Sequence, residues 1–411
     1  MIKKRLPNVP LLKQWAILLL LLLPTATTDC KLPPATADCP LKTGAEQVDV
    51  WLPLLRGKRV GVTANHTSIV GTRHLVDVLL AEGVNVVRIF APEHGFRGMA
   101  EAGEHLVTTT DATTGIEIVS LYGRHVKPLP VQLQGLDCML FDMQDVGVRF
   151  YTYLSTMHYV MESCAENDLP LVVLDRPNPN GFYVDGPVLE STYRSFVGMH
   201  PIPIVHGMTL GELAGMINGE GWLREGVSCR LTVVPCTGYT HQTRYRLPVG
   251  PSPNLPTMQA VYLYPSLCLF EGTVVSVGRG TDTPFEVFGH PSFQSCYSFS
   301  FTPVSRPAAQ RPPFMNTPCF GVDLQHFPIH EPANHGQLLL QWLIDARQCY
   351  SPQTAFFTDF FYKLCGTDRI RRQIEQGMSA AGIRASWQQE IEAFKTLRTK
   401  YLLYASGEAC L

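Results

Sequence analysis

The sequence predicts an α/β fold: a Rossmann-like parallel-sheet domain followed by a smaller α+β C-terminal domain. Three observations carry this. Five stretches repeat one grammar, an apolar run that breaks abruptly into polar and special residues: RVGVTANHTS (59–68), VNVVRIFAPEHGFRG (84–98), IEIVSLYGRH (116–125), DCMLFDMQDVGVRFYTY (137–153) and LPLVVLDRPNPNG (169–181). Runs so rich in Val, Ile and Leu fit strands buried on both faces of a parallel sheet. Helical periodicity alternates with them, which calls for right-handed crossovers. Beyond about residue 245 the grammar changes to Pro-rich and Gly-broken segments, which marks a second domain.

The elements follow in order. Met1-Ile2-Lys3-Lys4-Arg5 is basic, Ala16 to Leu23 is uninterruptedly apolar, and small residues follow Pro24. That is the order of a secretory signal, with cleavage expected near Thr28 and export to the periplasm or cell envelope. The run is shorter than the ~20 residues that span a bilayer, so a single N-terminal anchor is the alternative. Cys30 raises a lipid anchor, against which Asp29 stands where such sites need a small residue. Residues 1–28 are thus read as signal, 29–50 as linker, 51–247 as the Rossmann-like catalytic domain and 248–411 as the C-terminal domain. Helices are expected over 71–82, with Gly83 as its stop, and over 153–167. Thr209 and Glu212 form a capping box that opens a helix, giving Glu212 a structural part. SCRLTVVPC (228–236) reads as a further strand. In the second domain 248–257 reads as extended, 267–289 as strand-like with Gly breaks, and GQLLLQWLIDARQ and ASWQQEIEAFKTLRTKYLLY as helical.

Composition narrows the function. The 411 residues are 45% hydrophobic and 17% charged, with a net charge of −2, which argues against a polyanionic or membrane-surface partner. Twelve cysteines fit an exported chain better than a cytosolic one, and none forms a C-x-x-C pair. Cys138 and Cys164 read as buried small hydrophobes. No P-loop, no G-x-G-x-x-G after the first strand and no G-x-S-x-G elbow occurs, so neither a nucleotide nor an acyl-enzyme serine is indicated. His330-Glu331 begins like a zinc-protease motif, but Asn334 stands where the second His belongs. No metal or organic cofactor is expected.

In open α/β sheets, ligands bind beyond the carboxyl ends of the strands. Asn65, His66, Glu93, His94, Tyr122, Asp142, Gln144, Asp145, Asp175, Arg176 and Asn178 all follow strand runs and converge on that edge. Glu93, between Pro92 and Gly95-Phe96, is the best acid/base candidate, because an apolar setting favours the protonated carboxyl that a general acid needs. The alternative is a Glu satisfied by Arg97 or by loop N–H groups. Asp142 and Asp145 are open to three roles: base, metal ligand or helix cap. Arg149 lies beside Tyr151 and Tyr153, either of which suits a stacking wall for a sugar. Arg176 and Asn178 suit ligand positioning. Arg279, between glycines in GRGTDTPFE (278–286), suits an anion, with Asp282 and Glu286 nearby.

Together NHTS (65–68), APEHGFRG (91–98), FDMQDVGVRFYTY, LDRPNPNG, PSPNLPT, FEGT (270–273) and GRGTDTPFE resemble the NamZ-type exo-β-N-acetylmuramidase family. The resemblance spans roughly residues 45–411. It implies a two-domain protein with a site between the domains. The implied activity is release of terminal N-acetylmuramic acid from the non-reducing ends of peptidoglycan fragments. It also implies that Glu93 is the catalytic glutamate. Asp142 is the candidate second carboxylate, although the 2-acetamido group of the substrate can serve as nucleophile instead. Arg149, Arg176 and Arg279 are the candidate partners of the lactyl carboxylate of muramic acid. Asn65, His66, His94, Gln144, Tyr151, Asp175, Asn178 and Glu286 complete the expected substrate-binding set. A non-catalytic saccharide or muropeptide receptor and a metal-dependent hydrolase using Asp142, Asp145 and His66 are the rival readings.

Overall fold

In the computed structural model the described residues are 40–93, 95–96, 109–123, 125–351 and 353–405. All of them belong to one compact unit, Pro34–Leu411. The expected signal segment, together with Cys30, Cys39, His94, Arg97 and Cys410, lies outside the described residues.

The main sheet has seven strands: β1 (Arg59–Ala64), β2 (Asn85–Ala91), β3 (Thr109–Thr110), β4 (Glu117–Ser120), β5 (Cys138–Asp142), β6 (Leu171–Leu174) and β7 (Leu231–Val234). The spatial order is β3-β4-β2-β1-β5-β6-β7, and every pairing is parallel except β3 with β4. Without the two-residue edge strand β3, this is the 3-2-1-4-5-6 order of doubly wound nucleotide-binding folds. All five predicted apolar runs and the run at 228–236 are strands of this sheet. Central β5 and β6 are buried at every position, as strands covered on both faces must be. The order in which strands are added reverses between the parallel β1 and β5, where Ala64 pairs with Asp142, so their carboxyl ends flank the topological switch point.

The covering helices include α1 (Val48–Leu55), α2 (Leu75–Ala81), α3 (Pro130–Leu133), α4 (Tyr153–Glu166) and α5 (Leu210–Gly219). The capping box at Thr209 and Glu212 is present. Two expectations shift. Residues 69–70 and 73–74 form a small hairpin, and α2 starts only at Leu75, where the His74 ring accepts from the Val76 N–H. The expected linker also ends early: Lys42 bridges Thr237, Ala45 is fully buried and the Trp51 indole donates to its carbonyl at 2.9 Å.

The C-terminal region carries α6 (Met258–Leu267) and a three-stranded antiparallel sheet. Its strands are β8 (Val287–His290), β9 (Phe299–Phe301) and β10 (Cys319–Asp323), in the order β8-β10-β9. Helices follow at Gln341–Cys349, Asp359–Cys365, Arg369–Glu375, Ala380–Ala385 and Gln388–Arg398. The strand-like reading of 267–289 holds only at its end. Cys268–Gly272 prolongs α6 as a 3-10 turn, because Thr273 returns both its N–H and its hydroxyl to the Phe270 carbonyl. Cys296 and Cys349 form a disulfide, while Cys138 and Cys164 are buried thiols. Among the described residues no helix is long and apolar enough to cross a membrane.

Arg149 joins the two regions. Its fully buried guanidinium donates to the carbonyls of Pro187 and Ile202 and to those of Leu364 and Cys365 at the end of a C-terminal helix. Burial lowers its pKa to about 10, still above neutrality, so it remains a charged donor. Arg149→Met strands the carbonyls of Pro187, Leu364 and Cys365, each worth about 1–3 kcal/mol when orphaned, while that of Ile202 keeps the Leu189 N–H. A loss of at least about 3 kcal/mol in unfolding free energy is expected by denaturant titration, and an unchanged midpoint would refute the clamp.

Candidate active site

A cavity of about 560 Å³ opens where the loops after β2, β4 and β5 meet the C-terminal region. That volume lies within the ~300–1,000 Å³ typical of small-ligand sites. Glu93, two residues past β2, lines it half-buried. The Thr152 hydroxyl donates to Glu93 Oε2 at 2.7 Å. Tyr122, two residues past β4, faces the same carboxyl, and burial together with the Glu93 charge holds its phenol above the usual range. From the other side come Glu271, on the 3-10 turn after α6, and Arg279, whose Nε is 2.6 Å from Glu271 Oε1. Burial alone would lower the Arg279 pKa; the Glu271 charge more than offsets that. Aromatic rings, Tyr151, Tyr153, Phe196 and Tyr264 among them, wall the space.

Of the residues expected from sequence, Glu93, Tyr122, Tyr151, Tyr153 and Arg279 meet at this cavity. Most of the others sit at the predicted sheet edge but face inward. Asp142 is fully buried, and Arg176 grips it bidentately, Nε to Oδ1 at 2.5 Å and Nη2 to Oδ2 at 2.8 Å. Neither is part of the cavity wall: Asp142, expected as the second carboxylate, has both oxygens on Arg176, and Arg176, expected as a ligand group, is engaged there. Asp175 is buried and accepts from Thr209 Oγ1 at 2.6 Å, Gly211 N at 2.8 Å and Tyr404 Oη at 2.5 Å. Asn65 Oδ1 accepts from the N–H and hydroxyl of Thr67, and His66 Nε2 meets the Gly250 carbonyl at 2.9 Å. Gln144 donates to the carbonyls of Asp145 and Pro177, and Asn178 to that of Met208. Arg149 is the interregional clamp. Glu286 accepts from the hydroxyl of Thr257, the N-cap of α6. These side chains shape loops because strand ends at a switch point leave many backbone groups to satisfy.

The metal reading meets the same obstacle. Both Asp142 oxygens are taken by Arg176, and among the described residues no group of three or more His, Cys, Asp or Glu is placed to hold a metal. Asp145 Oδ2 accepts from the Gly147 N–H at 2.6 Å in a tight turn. Gly147 has φ 82°, and a Cβ there would lie 2.1 Å from Asn178 Oδ1, so no other residue fits.

Glu271, Thr152, Phe196 and Arg311 are cavity residues that the sequence reading did not single out. A carboxylate inside the apolar run LCLFEGTVV was a usable signal for Glu271, and Thr152 is enclosed by the aromatic FYTY string. Phe196 and Arg311 lie in segments without strand grammar.

A Rossmann-like sheet whose carboxyl edge presents a half-buried glutamate to an aromatic-walled cavity, with a second glutamate in the same wall, has the make-up of a glycosidase built on a doubly wound fold. Comparison with known proteins makes it particular. Residues 60–259 match the N-terminal and residues 262–404 the C-terminal domain of the exo-β-N-acetylmuramidase NamZ family, and the chain belongs to that family. It is 39% identical over 381 residues to the peptidoglycan β-N-acetylmuramidase NamZ of Bacillus subtilis strain 168, covering 87% of this chain and 90% of the relative. Two crystal structures of DUF1343 family proteins from Bacteroides fragilis NCTC 9343 share the fold. One has a TM-score of 0.83 at 50% identity and the other 0.74 at 28%, each covering 89% of this chain and 99% of its own.

The buried carboxyls set a pH dependence. Burial pushes Asp145 up to about 7 and Asp175 up to about 6, from the ordinary 3.8 of an aspartate. His206, 3.9 Å from Asp145, is pushed by burial down to about 3 and supplies no countercharge near neutrality. With both folded pKa values raised, the native state holds protons that the unfolded chain has released. Their contribution to stability is therefore full below about 4 and is lost as pH rises through 6 to 7. Asp145→Asn is expected to flatten the fall of Tm between pH 4 and 7. An unchanged slope would sink this account.

Proposed function

We propose that the chain is an exo-acting β-N-acetylmuramidase that releases terminal N-acetylmuramic acid from the non-reducing ends of peptidoglycan fragments, in cell-wall turnover. The observation that carries this is Glu93, half-buried in the cavity wall with its carboxyl oriented by the Thr152 hydroxyl. A carboxyl so placed acts as general acid. Its proton passes to the glycosidic oxygen as the bond from the anomeric carbon breaks, and water completes the sugar. Glycosidases pair such an acid with a second carboxylate that activates water or attacks the sugar. Glu271, held by Arg279, takes that place in the cavity, and the 2-acetamido group of the substrate is the alternative nucleophile. Family membership and the identity to the Bacillus subtilis muramidase support the substrate.

Glu93→Gln keeps the shape and the Thr152 contact but has no proton to give. kcat on a muramic-acid-terminated disaccharide is expected to fall by about 10²–10⁴-fold, and by less on an aryl muramide whose phenolate leaves unaided. Equal losses on the two substrates would assign Glu93 another role, and wild-type turnover of the disaccharide would remove it from the chemistry.

The same reading places the protein outside the cytosol. Support comes from the signal-like residues 1–28 and from the Cys296–Cys349 disulfide, a bond that persists in oxidising compartments. Intact-mass measurement of the envelope-fraction protein is expected to show loss of the residues before about Asp29. A mature chain retaining Met1 would reject cleavage, and a diacylglycerol mass on Cys30 would establish lipidation.

A further inference from the structure

N-acetylmuramic acid differs from N-acetylglucosamine by its lactyl ether, whose carboxylate is a full negative charge. An enzyme selective for the former needs an uncommitted cation at its cavity. Arg149 and Arg176 are buried outside it, spent on four carbonyls and on Asp142. Among the described residues two cations line the cavity, Arg279 and Arg311. Arg279 is neutralised by Glu271 at 2.6 Å. Arg311 is exposed and has no hydrogen bond or ion pair among the described residues.

We propose that Arg311 is the residue that reads the lactyl carboxylate and so selects muramic acid over glucosamine; the proposal rests on the muramidase reading above. The loop that carries it is anchored on both sides. Asn254 Nδ2 donates to the Ala308 carbonyl at 3.0 Å, the Val304 N–H donates to the Gly280 carbonyl at 2.9 Å, and Arg306 pairs with Asp282. Pro312 and Pro313 follow at once and restrict the backbone. The Pro312 ring sits so close to Gly280 that a Cβ there would come within 2.5 Å of it, and Gly280 has φ 83°. The backbone that carries Arg311 is therefore fixed at the cavity wall, while its guanidinium is exposed and its charge uncommitted. Among the described residues of the cavity, Glu271 is offset by Arg279 and the Arg311 charge has no such partner. That charge complements a sugar with one carboxylate, which a planar guanidinium grips bidentately.

The test compares Arg311→Gln and Arg311→Lys on an aryl N-acetylmuramide and the matching aryl N-acetylglucosaminide. Arg311→Gln is expected to lower kcat/KM for the muramide by about 10- to 100-fold, the weight of a charged hydrogen bond, and to leave the glucosaminide essentially unchanged. Arg311→Lys, which keeps the charge but loses the fork, is expected to recover part of the muramide activity. In a Glu93→Gln background, calorimetric titration with N-acetylmuramic acid is expected to lose the same factor on Arg311→Gln, while N-acetylglucosamine binding does not change. A muramide-to-glucosaminide ratio that Arg311→Gln leaves unmoved, in an enzyme that turns over the muramide, overturns the assignment alone. A wild-type protein that releases no muramic acid from either a muramide or a disaccharide overturns the muramidase reading and this assignment with it.

Discussion

The buried Asp142–Arg176 pair is the constraint on which the site depends. It joins the carboxyl ends of β5 and β6 at the switch point, and it reaches β1 as well, since Arg176 Nη2 donates to the Ile69 carbonyl and Ser68 Oγ to that of Asp142. Three loops are thus tied at their roots. From this knot the chain runs through the Gly147 turn and the Arg149 clamp to Thr152, which orients Glu93. Taking two charges out of water is unfavourable in itself, and only bidentate geometry with further hydrogen bonds offsets it. Here the Arg176 fork meets those terms, with a carboxylate on one side and a backbone carbonyl on the other.

The sheet edge therefore has two layers. The inner layer, with Asn65, Asp142, Gln144, Asp175, Arg176 and Asn178, satisfies the backbone and sets loop positions. The outer layer, which faces the cavity, holds Glu93, Tyr122 and Thr152. Rigid placement of the outer groups depends on the inner ones, as a catalytic carboxyl must be held to a fraction of an ångström. The inner layer looks like a functional site in sequence because loop construction at strand ends uses the same polar residues as catalysis.

The cavity is completed from the C-terminal region, which contributes Glu271, Arg279 and Arg311 from a 3-10 turn, a Gly-flanked loop and a Pro-rich loop. Their charges have separate fates. Glu271 and Arg279 cancel one another, while Arg311 does not. The Glu271–Arg279 pair fixes geometry within the cavity, and Arg311 is the uncommitted cation on which the proposed charge selectivity rests.

The sequence by itself determined the sheet and the location of Glu93. Strands buried on both faces must be continuous apolar runs, and the polar residues that end them must fall at one edge, so the parallel strands and the edge that carries Glu93 were legible from residues 59 to 236. What only the tertiary structure decided was which way each polar side chain turns. Asp142 and Glu93 follow the same kind of run, yet one meets Arg176 and is sealed in while the other meets Thr152 at an open cavity. Arg279 and Arg311 both lie in loops of the C-terminal region, and only the approach of Glu271, eight residues before Arg279, separates the committed guanidinium from the free one. Those choices depend on long-range contacts between loops, which carry no periodicity, and a local pattern cannot encode them.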